Sequence, residues 1–311
     1  MGGSRRRRNL DLCASRTYTA EWGSSVRSHP CRGLPAIGSL ARYGISVLKM
    51  ITITNSKVAG FEARWAPFRG FSLLFDNPGD SVSPMQGDLL KVDCLLDGNE
   101  DLQLYGGLVR FLDEVGRPWL TNAYLFCPLP SCSYHVTVWD GLNDGNAQDV
   151  PPGYRPKLEG FLRNLPDSLL TEDEFTSAIR RSPLFTGSDW SVTFKFDKLA
   201  KWGNQALVAR LAPVGRESEK GFRRIVNERE VLSARFREQF EVGMQSGYTP
   251  HVTLGYFANE EYAELATPEV DRWTELARGI VGHRTIAFDS IDLYGFVDMV
   301  TFFKRSQKGW V

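Results

Sequence analysis

Two short stretches of this 311-residue chain repeat one chemical pattern: Ser133-Tyr134-His135-Val136-Thr137-Val138-Trp139 and Thr249-Pro250-His251-Val252-Thr253-Leu254-Gly255. The chain has only four histidines, and two of them stand in the tripeptide His-Val-Thr. Imidazole, with an ordinary pKa of about 6.5, can take or give a proton near neutral pH. A pair of imidazoles supplies what opening a phosphodiester needs. One takes the proton from water or a hydroxyl, and the other protonates the departing oxygen. Threonine hydroxyls can donate to the non-bridging oxygens, where negative charge sits throughout the reaction.

This chemistry requires each histidine and its threonine to face the same way. Side chains alternate across a β-strand, so His135 and Thr137 share one face while Val136 and Val138 point to the other. The same holds for His251 and Thr253 against Val252 and Leu254. Each strand would then present an imidazole and a hydroxyl to a cleft and fill the core with its aliphatic residues.

The rest of the chain supplies elements that could hold such strands. Residues 71–75 form a short apolar run, and 89–96 read as a strand closed by Asp97-Gly98. Leu104, Leu108, Phe111 and Leu112 give 102–115 a helical spacing, ending near Gly116 and Pro118. Strands are expected at 122–126 and 134–139. The stretch 141–183 is rich in loops, with short helices expected near 157–165 and 172–180. A hairpin follows, 190–199 and 205–213 around Trp202-Gly203-Asn204. A long amphipathic helix is expected over 217–240, with Phe222, Ile225, Val226, Leu232 and Phe236 on or near one face. Then come a strand over 249–257, a helix over 260–281, and strands over 285–292 and 297–304. Both halves thus run strand, helix, then a strand bearing His-Val-Thr, which predicts an α+β protein of two related lobes around a groove.

Composition narrows the function classes. With 42% hydrophobic and 24% charged residues the chain reads as a globular protein able to bury a sizeable core. Its formal net charge is zero, so no global field draws it to nucleic acid or anionic membrane, and any basic surface must be local. No apolar run reaches the eighteen or so residues of a membrane span. Cys13, Cys31, Cys94, Cys127 and Cys132 form neither a disulfide ladder nor a CxxC zinc pattern, which points to reduced thiols in a cytoplasmic protein. No P-loop or Rossmann glycine pattern supports triphosphate hydrolysis or hydride transfer. Residues 1–49 differ from the rest, holding nine Lys/Arg against Asp11 and Glu21. They read as a disordered extension or over-extended start with Met50 as the initiator, as an organellar transit segment, or as an RNA-binding arm.

The paired His-Val-Thr strands resemble the two-histidine (2H) phosphoesterase superfamily, which includes LigT-like RNA-end enzymes and cyclic phosphodiesterases. The stretches Tyr134–Gly141 and Gly247–Tyr256 are most similar to a bacterial branch with little functional definition. The resemblance covers roughly residues 70–305. It implies a bilobal fold of two pseudo-symmetric lobes, antiparallel sheet plus helices, around a central groove. The lobes are expected at about 70–185 and 186–311 within a domain over 50–311. It also implies a hydrolase that needs no metal or other cofactor, with His135 and His251 as acid and base and Thr137 and Thr253 as phosphate ligands. For hydrolysis His251 is the expected base. The expected substrate is a 2′,3′-cyclic phosphate or a related nucleotide or RNA end, handled by a monomer.

Rival readings attach to the same residues. His135, His251, Asp140 and His283 could meet at a metal, although no HExxH or His-x-His spacing supports one. Cys132 could be a thiol nucleophile, but three residues from His135 on a strand it would face the other way. Tyr134, Tyr248 and Tyr256 are candidates to stack a nucleobase near the phosphate, with Trp139 and Phe257 also flanking the motifs. Arg155, Lys157, Arg163, Arg180 and Arg181 could follow an RNA backbone or form a solvated face. A nucleotide-binding module without turnover, and an RNA-end transesterase or ligase, would use the same groove.

Overall fold

The computed structural model describes residues 51–188, 190–244 and 247–306, and the arginine-rich extension over 1–49 lies outside them. Short strands open the described chain: β1 (Gly70–Phe75), β2 (Ser81–Pro84) and β3 (Leu89–Asp93). Helices α1 (Gln103–Val115) and α2 (Arg117–Tyr124) lead to β4 (Phe126–Pro128) and β5 (Thr137–Trp139). Three short helices follow: α3 (Arg155–Arg163), α4 (Glu174–Arg180) and α5 (Pro183–Thr186). The hairpin of β6 (Val192–Trp202) and β7 (Ala206–Pro213) runs into α6 (Gly215–Phe240) and β8 (His251–Phe257). The chain closes with α7 (Glu260–Leu265), α8 (Val270–Val281), β9 (Thr285–Phe288), β10 (Ile291–Phe296) and β11 (Phe302–Arg305).

These strands build two antiparallel sheets, as the α+β reading expects. One has the order β2-β3-β11-β10-β1-β5, the other β4-β8-β7-β6-β9. The sheets do not follow the halves of the sequence. β10 and β11, from the C-terminal end, pair with β1 and β3, while β4, from the N-terminal half, pairs with β8. Such pairings between distant segments leave no mark in local periodicity. Phe75 of the first sheet packs against Phe194 and Phe288 of the second, with ring centroids 5.9 and 4.6 Å away, so the two sheets share a core. No helix among the described residues is long and apolar enough to cross a membrane.

Two local expectations fail for identifiable reasons. Residues 122–126 read as a strand, yet most of them belong to α2. Pro118 sits in the first turn of that helix, where a missing N–H costs nothing, and Leu125 ends it in the left-handed region at φ 49°. The helix expected over 260–281 divides into α7 and α8 because Pro268 falls inside it, and residues Thr267–Glu269 tighten into a 3-10 turn.

The loop-rich 141–186 region is a structural layer on the first sheet. Phe161 meets Phe71 edge-on at 5.4 Å, and Phe175 and Tyr154 pack on Phe240 at the end of α6. Phe71 pairs with Gly295 and Gly295 with Phe303, whereas Phe302 on the alternate face packs on His135. The layer therefore covers the face opposite the histidine. Three of its basic residues are engaged there, Lys157 with Glu174 at 2.9 Å, Arg155 with the Val150 carbonyl at 3.1 Å and Arg180 over the Phe185 ring, while Arg163 and Arg181 are exposed.

Candidate active site

The two motifs meet. Val136 and Val252 form an isolated antiparallel bridge at the seam where β5 of one sheet adjoins β8 of the other. In that register His135 lies opposite Thr253 and Thr137 opposite His251, which relates the motifs by a local two-fold axis. Both valines are fully buried, while His135, Thr137, His251 and Thr253 are all half-buried. Strand alternation thus sends four polar side chains to one face, as the spacing of the motifs requires. Neither threonine hydroxyl has a hydrogen-bond partner among the described residues, so both can donate to a ligand.

Proline and glycine residues shape both ends of these strands. Pro250, which cannot donate to a ladder, immediately precedes β8, and its carbonyl instead accepts from Leu211 at 2.8 Å. Gly255, after the second motif, lies so close to β4 that a Cβ would be 2.4 Å from the Cys127 carbonyl oxygen. Gly141, after the first, would place a Cβ 1.8 Å from the Phe71 carbonyl oxygen. Glycine at both positions lets a neighbouring backbone approach.

The imidazoles are held alike. Each Nδ1 lies on the carbonyl two residues before it, His135 on Ser133 at 2.8 Å and His251 on Thr249 at 3.0 Å. A carbonyl can only accept, so Nδ1 carries the hydrogen in both rings, and each Nε2 keeps its lone pair free for a proton. Each ring also rests on an aromatic: His135 on Phe302 at 4.6 Å, His251 edge-on to Trp202 at 4.0 Å.

Burial pulls the pKa of both histidines down to about 4, against the opposing pull of the bonds to Ser133 and Thr249. The positive charge of Lys57 lowers His135 further. His251 feels His135, Lys57 and Arg229 together. Both rings are therefore neutral at pH 7 in the empty groove, and His251 has more positive charge around it. The source of that charge is well defined. Lys57 comes from the segment before β1, its ammonium 4.9 Å from the centres of both the Phe68 and Tyr256 rings. Arg229 projects from α6. It donates to the carbonyl of Val138 and, at 3.2 Å, to that of Gly247, and stacks on Tyr248 at 4.3 Å. One guanidinium thus ties β5 to the segment leading into β8.

The aromatic candidates have different fates. Tyr248 is partly buried beside the motifs, its hydroxyl donating to the Thr137 carbonyl at 2.9 Å and its ring stacked on Phe222. Tyr256 turns to the side of His251 through a β-bulge but is buried there, its hydroxyl donating to the Met299 sulfur at 3.3 Å. Tyr256 pairs with Ala206, Thr253 with Val208 and His251 with Arg210, so Tyr256 shares the face of the histidine although their numbers differ in parity. Tyr134 does not line the groove. It is 1% exposed and packs edge-on against Tyr105, on the core side that strand alternation assigns it. Trp139 and Phe257 are likewise in the core. Cys132 lies in a 3-10 turn ahead of β5, its carbonyl accepting from Cys94 at 2.8 Å. His283 lines a separate concavity with Asp76, Glu100 and Asp289, away from both motifs. Among the described residues no three His, Cys, Asp or Glu side chains are grouped to hold a metal ion.

Solved structures similar to this chain include the following three. A conserved protein of unknown function from Agrobacterium tumefaciens is 17% identical, with a TM-score of 0.45 over 80% of this chain and 89% of its own. Usb1 from Kluyveromyces marxianus is 12% identical, with a TM-score of 0.32 over 71% of this chain and 100% of its own. The same protein with uridine monophosphate gives 9% identity and a TM-score of 0.32 over 76% and 97%. No protein-family model and no curated protein matches the chain. The chemistry of the site stands on its own geometry.

Three residues of the site escape the sequence reading. Arg229 left a visible signal, a charge at the buried position between Ile225 and Leu232 on the apolar stripe of α6. Trp202 reads as part of a turn, and only the paired length of β6 and β7 turns its ring onto His251. Lys57 gives no signal, since nothing local ties the segment before β1 to the second sheet; Asn55 makes that link by donating to the Gln205 carbonyl at 3.1 Å.

Proposed function

We propose that this protein is a phosphodiesterase that hydrolyses a 2′,3′-cyclic phosphate or a related nucleotide or RNA-end phosphodiester with two histidines and no metal ion. The observation that carries the reading is the antiparallel Val136–Val252 bridge, which puts two imidazoles and two hydroxyls on one face with both Nε2 atoms unprotonated. Bound phosphate sits between the rings and accepts from the Thr137 and Thr253 hydroxyls. Its negative charge favours protonation of one imidazole. His251, which has the charge of Arg229 near it as well as that of Lys57, serves as base. Its Nε2 takes a proton from water as the water oxygen bonds to phosphorus. His135, protonated, gives its proton to the ribose oxygen whose bond to phosphorus breaks. The product is a nucleoside monophosphate or a phosphate-ended RNA. Lys57, beside both rings, adds positive charge where the non-bridging oxygens lie.

The pH dependence tests this assignment. Catalysis needs one neutral and one protonated imidazole, and the pair titrates as a unit. In the free protein both lie near 4, so the protonated partner becomes scarcer tenfold per pH unit above that value. The optimum of kcat/KM, which reports the free protein, is expected well below pH 6.5. The optimum of kcat is expected at higher pH, because the bound phosphate raises the pKa of the acid. Profiles measured from pH 4 to 9 that coincide, with a common optimum above 7, would contradict the scheme.

A further inference from the structure

The second sheet presents cations on the groove face beyond His251 that the two-histidine chemistry does not use. Register defines the row: His251 pairs with Arg210 on β7, and Arg210 with Lys198 on β6. Neighbouring strands lie about 4.8 Å apart, so Arg210 and Lys198 stand one and two strand spacings from the histidine. Lys195 continues the line, pairing with Ala212 on one side and Thr285 on the other.

The sequence achieves this through a bulge. Val192, Phe194, Phe196 and Leu199 are buried on the core face of β6, and the register slips between Phe196 and Lys198. Lys195 and Lys198, three residues apart, thereby share the open face with Trp202, and all three are exposed. On β7, Arg210 shares the face of His251 through their pairing, and unlike Leu207, Ala209 and Leu211 on the other face it is partly exposed.

These cations lack partners of their own. Among the described residues none of Arg210, Lys198 and Lys195 is in an ion pair, and the Nε of Arg210 is buried without a hydrogen-bond partner. Lys201, on the opposite face of the same strand, is engaged by Glu264, Thr267 and the Ala263 carbonyl. A buried donor without a partner is costly unless a ligand satisfies it. Trp202, 43% exposed and edge-on to His251, adds an aromatic surface at the same edge of the groove. Unpaired cations that track away from a phosphate site, beside an exposed indole, suit a single-stranded nucleic acid.

We propose that Arg210 and Lys198 form a second phosphate subsite, with Trp202 as a stacking surface for a base, so that the substrate is an oligonucleotide end and not a mononucleotide. This rests on the phosphodiesterase reading for its direction: the scissile phosphate lies at the histidines, and the next phosphate of the chain lies over Arg210 and Lys198.

Binding separates the subsite from turnover. The probes are a labelled pentaribonucleotide ending in a 3′-phosphate and the corresponding nucleoside 3′-phosphate, neither of which offers a terminal cyclic bond to open. The wild-type protein is expected to bind the pentanucleotide at least about tenfold more tightly at low salt, with log affinity falling by about 0.7 per phosphate contact against log salt. Lys198→Ala, an exposed change, and Arg210→Gln should each erode that preference and flatten the salt slope by about one contact. Equal affinity of wild type for the two probes, or variants that keep the full preference and slope, would overturn the subsite. A protein that binds with this preference but opens no cyclic phosphate would instead count against the phosphodiesterase reading alone.

Discussion

Replacing His135 or His251 by alanine is expected to lower turnover of a 2′,3′-cyclic phosphate at least about a hundredfold, since a positioned proton-transfer group typically contributes about 10²–10⁴-fold. Both losses should appear in kcat, because each ring acts on the proton in flight. The double variant should be little worse than the poorer single one. With either proton transfer gone the step no longer runs in concert, and the second loss finds little left to remove. Substitution at His135 should abolish the fall of activity at high pH, and substitution at His251 the fall at low pH, if His135 is the acid and His251 the base. The reverse pattern would exchange their roles. Activity of either variant within about threefold of wild type would remove that histidine from the chemistry.

Arg229→Met should cost about 2–4 kcal/mol of stability, because it leaves the buried Val138 carbonyl and the part-buried Gly247 carbonyl without a charged donor. Methionine keeps most of the aliphatic bulk, so the loss falls on the bonds to Val138 and Gly247 and on the stacking with Tyr248. Urea unfolding measures the cost, and a value under about 0.5 kcal/mol would show that the guanidinium holds nothing together. The variant carries a second signature that a purely structural role would not produce. The charge of Arg229 helps to lower His251, so its removal should move the low-pH limb of the kcat/KM profile upward. Arg229→Lys restores the charge but can reach only one of the two carbonyls, so it should recover the pH profile better than the stability.

The grouping of His135, Thr137, His251 and Thr253 on one face was legible because strand alternation is strict. Given His-x-Thr on a strand, the shared face of His135 with Thr137 and of His251 with Thr253 comes from a period of two, and the repetition of the motif made convergence the natural expectation. The long helix α6 and the hairpin of β6 and β7 were legible for similar reasons, from apolar spacing and a turn. The features that escaped depend on contacts between distant segments. The pairing of β10 with β1 and of β4 with β8 spans most of the described chain. The turn of Tyr256 to the side of His251 depends on a bulge that reverses its parity, while Tyr134 goes to the core by the same alternation that places His135 in the groove. Pro118 reads as ending one helix when it begins the next, since a proline two residues after a glycine serves either purpose until the following turn is known. Lys57 shows the limit most plainly: its place between Phe68 and Tyr256 exists only once the first described segment has folded back onto the second sheet.

That two imidazoles open a phosphodiester without a metal is tested most directly by product analysis. The full-length protein is incubated with a panel of 2′,3′-cyclic nucleotides and RNAs ending in a 2′,3′-cyclic phosphate, with and without excess EDTA. Conversion to a phosphomonoester at the same rate in both conditions is predicted for at least one member of the panel. Turnover that the chelator abolishes, or no turnover of any substrate, would contradict the two-histidine scheme.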